Sequence, residues 1–271
     1  MTVAGLALLA CALLFPLFWM TVTSLKSAGR VFEVPGRVTY LPLPPTLESY
    51  ARVLHTSSFL LALRNSALVA GGTLLVALGF GSLAAYALSR LRVRGGRILM
   101  GLMLSMSMFP HVAILGGMFA WLRTLGLYDT HAGLVLSYLT FTLPFTVWVM
   151  TSFFRLLPGD LEDAAALDGA GPLRTFWTVM LPLAAPGLVS TGLLGFIAAW
   201  NEFLFALTFT TGEATRTVPV AIALFRGASQ HEIPWTEILA ASVVVTLPLL
   251  VLVLTFQRRL VEGLTAGALK G

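Results

Sequence analysis

Six stretches of this chain contain no Asp, Glu, Lys or Arg: 1–25, 65–89, 98–122, 130–154, 175–201 and 238–257. Each is 20 to 27 residues long. A helix rises ~1.5 Å per residue, so about 20 apolar residues cross the ~30 Å of bilayer hydrocarbon. Barrel strands alternate polar and apolar residues, so unbroken apolar runs specify helices. Charged residues make up 11% of the 271, and apolar residues 57%. Soluble domains run near ~25% charged and ~45–50% apolar, which excludes a water-soluble globular enzyme. Intrinsic disorder is excluded on the same ground.

The expected fold is an all-α membrane protein with six transmembrane helices in one domain over 1–271. The spans fall at about 3–25, 62–89, 98–122, 131–153, 187–210 and 238–257. The fifth is trimmed because Pro182 and Pro186 interrupt its start, and Glu202 lies inside it. The first segment has no basic residue before Lys26, and its apolar core is longer than the ~7–15 residues of a signal-peptide core. It is expected to be retained as a helix. The single cysteine, Cys11, excludes disulfide frameworks and cysteine metal sites.

Lys and Arg orient the chain. With both termini cytoplasmic, nine basic residues face the cytoplasm and eight face outward. Five of those eight lie in the long stretch 26–64, and long translocated segments weigh less. The cluster Arg90, Arg92, Arg94 and Arg97 is the strongest vote for cytoplasmic termini. The net charge of +5 then reflects topology and attraction to lipid headgroups, not a nucleic-acid footprint.

The most informative loop joins spans four and five, residues 157–182. Pro158-Gly159 breaks the preceding helix. Asp160 suits an N-cap, with Asp163 completing a capping-box-like arrangement. Asp168-Gly169 ends the short helix, and Pro172 suits the first position of a second. Leu173, Phe176, Trp177 and Met180 form an i, i+3, i+4, i+7 stripe on that second helix. The result is a helix–turn–helix hairpin with a small-residue face. It fits docking into a groove of a partner, and equally an interfacial hairpin that merely connects two spans.

Asp163-Ala164-Ala165, then Gly169 after three residues, then Val179-Met180-Leu181-Pro182 after nine, resembles the EAA motif of integral-membrane subunits of ABC importers. The spacing matches throughout. Asp163 stands where Glu is usual, Val179 where Ile is usual, and Glu162 offers a second acid beside Asp163. Further stretches, among them "AAYALSRL" (84–91), "LGLYDTHAGLVLSY" (125–138) and "LPLAAPGLVSTGLLGFIAAWNEFLFAL" (181–207), resemble the second permease of maltose- and trehalose-type sugar importers. The resemblance implies the type I importer fold and a location in the bacterial cytoplasmic membrane. It implies three partners: a homologous permease, a homodimeric cytoplasmic ATPase and an extracellular sugar-binding protein. Glu162, Asp163, Ala164, Ala165, Asp168, Gly169 and Pro182 would couple to the ATPase. The chain has no P-loop, because neither Lys26 nor Lys270 follows a Gly-rich turn. ATP and Mg would therefore be used by the partner, and this chain is expected to bind no cofactor and to be no enzyme.

Other polar residues admit two readings each. Asn201 and Glu202, flanked by Trp200 and Phe203, line a translocation pathway or stabilise helix packing. His111 follows Pro110 and is expected to pack near a kink. Gly71, Gly72, Gly79, Gly81, Gly116 and Gly117 suit close helix packing. The outer loop 211–237 carries Gln230, His231 and Trp235, which contact the binding protein or anchor a surface loop at the bilayer interface. The tail 263–271 is expected to be flexible and to reach the ATPase. The competing function class, an ion-coupled carrier, predicts internal repeats and paired intramembrane acids, and the chain has one such acid and no clear repeat. Within the importer class, polyamines, peptides and glycerol phosphates are the alternative cargoes.

Overall fold

The computed structural model describes residues 2–27, 44–91, 93–225 and 233–268, with side chains for all of these except 2 and 258–268. The described residues are helical with no strand among them. The helices are α1 (Thr2–Ser24), α2 (Glu48–His55), α3 (Ser57–Arg90), α4 (Gly96–Ser107), α5 (His111–Thr124), α6 (His131–Leu156) and α7 (Asp160–Leu167). They continue with α8 (Pro172–Thr175), a π-helical turn (Phe176–Met180), α9 (Leu181–Leu183), α10 (Ala185–Trp200), α11 (Leu204–Phe209), α12 (Val218–Ala223) and α13 (Trp235–Ala268). Four helices, α1, α3, α6 and α13, are long and apolar enough to cross a membrane. Two bent pairs raise the number to six if each counts as one span.

The bends have identifiable causes. The expected span 98–122 is two helices meeting at 97°. Pro110 has no N–H to continue the ladder and pushes Phe109 out of helical conformation. The second bent pair joins the segment Pro172–Leu183 to α10 at 77°. The expected span 187–210 is itself broken at Asn201–Phe203, without any proline. There the Asn201 side chain donates to the Ile197 carbonyl (2.8 Å) and closes α10. Such side chains compete with the helix for backbone groups. The tail is helical through Ala268, where flexibility was expected from residue 263 onward.

Helices α3 and α6 form the centre and run parallel. A Cβ added at Gly72 of α3 would lie 3.4 Å from a Val135 methyl, and one added at Gly81, opposite Thr146, would come within 2.6 Å of Cγ2. Helix α10 returns antiparallel, with Gly187 against Phe153 and Gly192 against Leu78. Gly71, Gly79, Gly116 and Gly117 have nothing within 4 Å of an added Cβ. Of the six glycines expected to pack closely, only Gly72 and Gly81 do. Buried hydroxyls along α6 bond backward within the helix: Ser137 to Gly133, Thr142 to Tyr138, Thr146 to Thr142 and Thr151 to Val147 (2.7–2.8 Å). Hydrocarbon offers no hydrogen-bond partner, and these hydroxyls find theirs inside the helix.

Helix α1 packs against α13, yet it is exposed along most of its length, with Val3, Leu8 and Leu13 each more than two-thirds accessible or nearly so (78%, 75% and 67%). Ser24 Oγ lies 2.6 Å from the Tyr50 hydroxyl of α2, which places the end of α1 beside the start of α3.

At this end of the bundle, far from the 157–182 hairpin, the segment 210–217 is pinned by Asp129. This residue takes the left-handed conformation (φ 56°). Its carboxylate accepts from the Thr211 amide (3.0 Å), the Thr211 hydroxyl (2.8 Å), the Gly212 amide and the Thr215 hydroxyl. Partial burial alone would raise its pKa, but the bonds from Thr215, Thr211 and Gly212 outweigh it and hold the carboxyl below the usual Asp range. Asn65 Nδ2 donates to the carbonyls of Ala214 (2.9 Å) and Arg216 (3.0 Å), and the Ser66 hydroxyl accepts from the Val218 amide (2.8 Å).

Two outcomes are expected. Gly81→Ala should destabilise by ~1–3 kcal/mol through overpacking. Gly79→Ala, two residues away on the same helix, should be neutral or stabilising by ~0.5–1 kcal/mol. Unfolding midpoints in detergent compare the two. The Asp129 contribution, with its lowered folded pKa, is full at neutral pH. It begins to fall below the ordinary Asp value of 3.8 and is gone below the folded pKa. Amide exchange at Thr211 and Gly212 should accelerate in that window, and Asp129→Ala should abolish the pH dependence.

Candidate functional site

The hairpin 157–182 carries most of the candidate residues. Leu157 is extended (φ −69°, ψ 141°) because Pro158 follows it, and this ends α6. Gly159, not Asp160, occupies the N-cap of α7, and no side chain caps it. Asp160 is instead the first helical residue. With Glu162 and Asp163 it places three carboxylates in the first turn, where the helix dipole favours negative charge.

The other end of α7 is a Schellman turn. The Gly169 amide donates to Ala166 (3.0 Å) and the Ala170 amide to Ala165 (2.9 Å). Gly169 has φ +75°, which glycine adopts without a Cβ penalty. Pro172 then starts α8, which lasts one turn before the π-helical segment. The Leu181 amide reaches the Phe176 carbonyl, five residues back. Pro182 has no amide for the Thr178 carbonyl, which removes one α-helical bond at the point where the wider turn forms.

The apolar stripe expected on the second helix divides between two faces. Phe176 and Met180 are buried against Tyr86, Val147, Met150 and Phe154. Leu173 and Trp177 are 63% and 52% exposed. The π turn changes the phase, so a 3.6-residue period does not hold across it.

The fold brings Asp163, Ala164, Asp168 and Gly169 together on the exposed surface of α7 and its turn. Leu167 stands beside them, 90% exposed. Ala165 is buried and faces the body. Pro182 is exposed in α9, away from that surface. A notch of about 330 Å³ separates α7 from the segment behind it, with Ala164, Ala165, Asp168, Arg174 and Val179 on its walls. The 14 residues from Gly169 to Pro182 thus fold one arm of the hairpin back across the other.

Glu162 points elsewhere. Its carboxylate lies 3.4 Å from the Arg90 guanidinium, with the side chains 25% and 14% exposed. Tyr86 also hydrogen-bonds it. Arg90 ends α3. Its Nε donates to the Phe154 carbonyl (3.1 Å), and Nη2 donates to the carbonyls of Phe154 and Leu157. Both carbonyls lie at the end of α6, where the regular helical ladder stops, and Phe154 also accepts from the Leu157 amide (3.3 Å). Of the two acids beside the Ala-Ala pair, Asp163 is the one left exposed. The sequence placed Arg90 only as a topological charge; its position at the end of a long span was the one signal of this role.

Glu202 is buried (9% exposed) and caps α11. Its oxygens accept from the amides of Phe205 (2.8 Å) and Ala206 (3.1 Å). The Tyr138 phenol interacts with the same carboxylate. Asn201 and Phe203 are exposed at the break. The sequence signal for this role is an acid directly ahead of the apolar run Phe203-Leu204-Phe205, since negative charge favours a helix N-terminus. His111, the first residue of α5, packs against the rings of both Phe141 (5.2 Å) and Phe205 (5.3 Å). The two interrupted helices therefore meet at one aromatic cluster. A cavity of about 690 Å³ opens in the α4–α5 elbow, lined by Phe109, His111, Trp121 and Thr140 among others.

Gln230 and His231 lie outside the described residues. Trp235 is the first residue of α13 and is 44% exposed. No group of three or more His, Cys, Asp or Glu suited to a metal ion occurs among the described residues.

The chain is similar to several transport permeases. It is 44% identical to the trehalose/maltose transport system permease protein MalG of Thermococcus litoralis, over 99% of this chain and 96% of that one. It is 44% identical to the trehalose transport system permease protein SugB of Mycobacterium tuberculosis, over 95% and 93%. It superimposes on a chain of a crystal structure of a bacterial ABC transporter involved in the import of the acidic polysaccharide alginate. The TM-score is 0.81 at 25% identity, covering 95% of this chain and 94% of that one. The family model for the binding-protein-dependent transport system inner membrane component matches residues 77–265. That match contains the whole hairpin, both interrupted helices and the Arg90 tether, and the chain belongs to this family of multi-pass membrane transport components.

Proposed function

We propose that this chain is one of two permease subunits of an ATP-driven importer of di- or oligosaccharides, of the trehalose or maltose class. The exposed surface of Asp163, Ala164, Asp168 and Gly169, held on a hairpin outside the bundle, is the observation that carries the proposal. Small side chains let a partner backbone approach closely, and the acids suit a basic rim on that partner. The partner is a homodimeric ATPase, and ATP and Mg belong to its chemistry. Closure of the ATPase dimer would move the hairpin and, through it, the ends of α6 and α10.

The hairpin then lies on the cytoplasmic side, together with both termini. The Arg-rich turn 90–97 at the same end agrees with the positive-inside rule. The far end, with the pinned loop 210–217 and Trp235, would face the sugar-loaded binding protein. Gln230 and His231 belong to the same outer loop and are proposed to share that contact. The homologous second permease would complete the pathway, with Asn201 and the aromatic cluster around His111 on this chain's side. Glu202 supports that wall by capping α11. The names of the relatives at 44% identity support the sugar class.

Reconstitution tests the reading. Proteoliposomes containing both permeases, the ATPase and the binding protein should take up trehalose or maltose only with ATP. Uptake that persists without the ATPase and collapses with an uncoupler would sink it. A ligand screen of the cognate binding protein that returns a polyamine, peptide or glycerol phosphate would move the cargo class.

Gly169 separates docking from folding. Its added Cβ meets nothing within this chain. Gly169→Asn keeps the left-handed turn, because Asn tolerates that conformation. It should nevertheless weaken ATPase association by about tenfold, equivalent to ~1.4 kcal/mol of lost contact. Co-purification of the ATPase at wild-type levels would refute the docking role.

A further inference from the structure

We propose that Arg90 makes α3 a strut that carries movement of the coupling hairpin to the loop 210–218 at the opposite end of the bundle. The inference rests on the reading of the hairpin as the ATPase contact.

Helix α7 is held to the body by few groups. Ala165 is its single buried residue, and Leu157-Pro158-Gly159 is its link to α6. One fork of the Arg90 guanidinium binds the Phe154 and Leu157 carbonyls on the α6 side, and the remaining nitrogen faces Glu162 on the α7 side. Arg90 therefore spans the pivot and ties both arms to the end of α3. A planar guanidinium does this with a fixed fork, which a lysine ammonium lacks.

Helix α3 is suited to transmit a displacement. It has 34 residues and no proline, whereas α1, α6 and α13 each contain one. From Asn65 to Arg90 it runs about 37 Å at ~1.5 Å per residue. It is tied again about two turns in from its start at Ser57. Asn65 and Ser66, both buried, hold the Ala214 and Arg216 carbonyls and the Val218 amide. One stiff helix thus has polar ties near both ends, and each tie reaches a different functional loop.

The test is hydrogen exchange of the assembled permease–ATPase complex, with and without a non-hydrolysable ATP analogue, so no transport substrate is needed. In the wild-type complex the analogue should change exchange at 211–218 by about fivefold or more, the scale of ordinary intersite coupling. Arg90→Gln should lose most of that change while the α3 and α6 amides keep their baseline protection. Arg90→Lys, which keeps the charge opposite Glu162 but not the fork, should retain an intermediate response. Where Arg90→Gln does not assemble, Arg90→Lys carries the comparison alone. A full nucleotide-dependent change at 211–218 in the Arg90 variants overturns the strut, as does a wild-type complex that shows no change there. Failure of the wild-type chain to hold the ATPase at all would instead overturn the functional reading on which the strut rests.

Discussion

Hydrocarbon has no hydrogen-bonding groups, so a helix that breaks within a membrane must satisfy its freed backbone from its own side chains. This chain breaks its helices at three places that matter. Each break carries a different remedy. At Asn201–Phe203 the Glu202 carboxylate takes two amides of α11, and Asn201 closes the preceding helix. At the end of α6 the Arg90 guanidinium takes the carbonyls of Phe154 and Leu157. At the α4–α5 elbow Pro110 removes a donor at the point where helix cannot continue. Several hydroxyls of α6, among them Thr142, Thr146 and Thr151, bond within their own turn.

Those remedies also position the functional surfaces. Arg90 satisfies α6 and faces Glu162 with the same group, so termination of a span and attachment of the hairpin are one event. The pairing settles the division of labour between the adjacent acids: Glu162 is drawn to the body and Asp163 is left outward. Glu202 works similarly. By starting α11 it sets Phe205 and Phe209 in a stacked pair, and Phe205 closes on His111 from the other broken helix.

The residues differ in how plainly they announced these roles. The charge-free runs located the long helices, because few sequences lack charge over 20 residues for any other reason. The hairpin was legible for a local reason too. Pro158-Gly159, Gly169 and Pro172 are backbone signals that act within a turn, and Gly169 takes the expected left-handed conformation. What was not legible depends on distance or on competition. The Arg90 pairing joins residues 72 apart in sequence, and its partners at Phe154 and Leu157 are backbone atoms that no side-chain pattern reveals. The π turn shifts the phase of a stripe that a fixed period cannot follow, so Leu173 and Trp177 emerge exposed. Glycine contacts failed likewise: Gly79 and Gly81 share a sequence environment, and only the second meets α6.

The scarcity of charge explains why so few groups do this work. In a chain with 12 acids, Asp129, Glu162 and Glu202 are each engaged within the chain: one pins a loop, one holds the hairpin, one caps a helix. Each sits where helix gives way to another conformation. Asp163 and Asp168 differ in that they flank an exposed alanine surface. A membrane protein gains little from surface acids that bind nothing, because most of its surface does not face water. The acids left outward on the hairpin are therefore the ones the proposed partner contact uses, and the acids turned inward hold the chain's own joints.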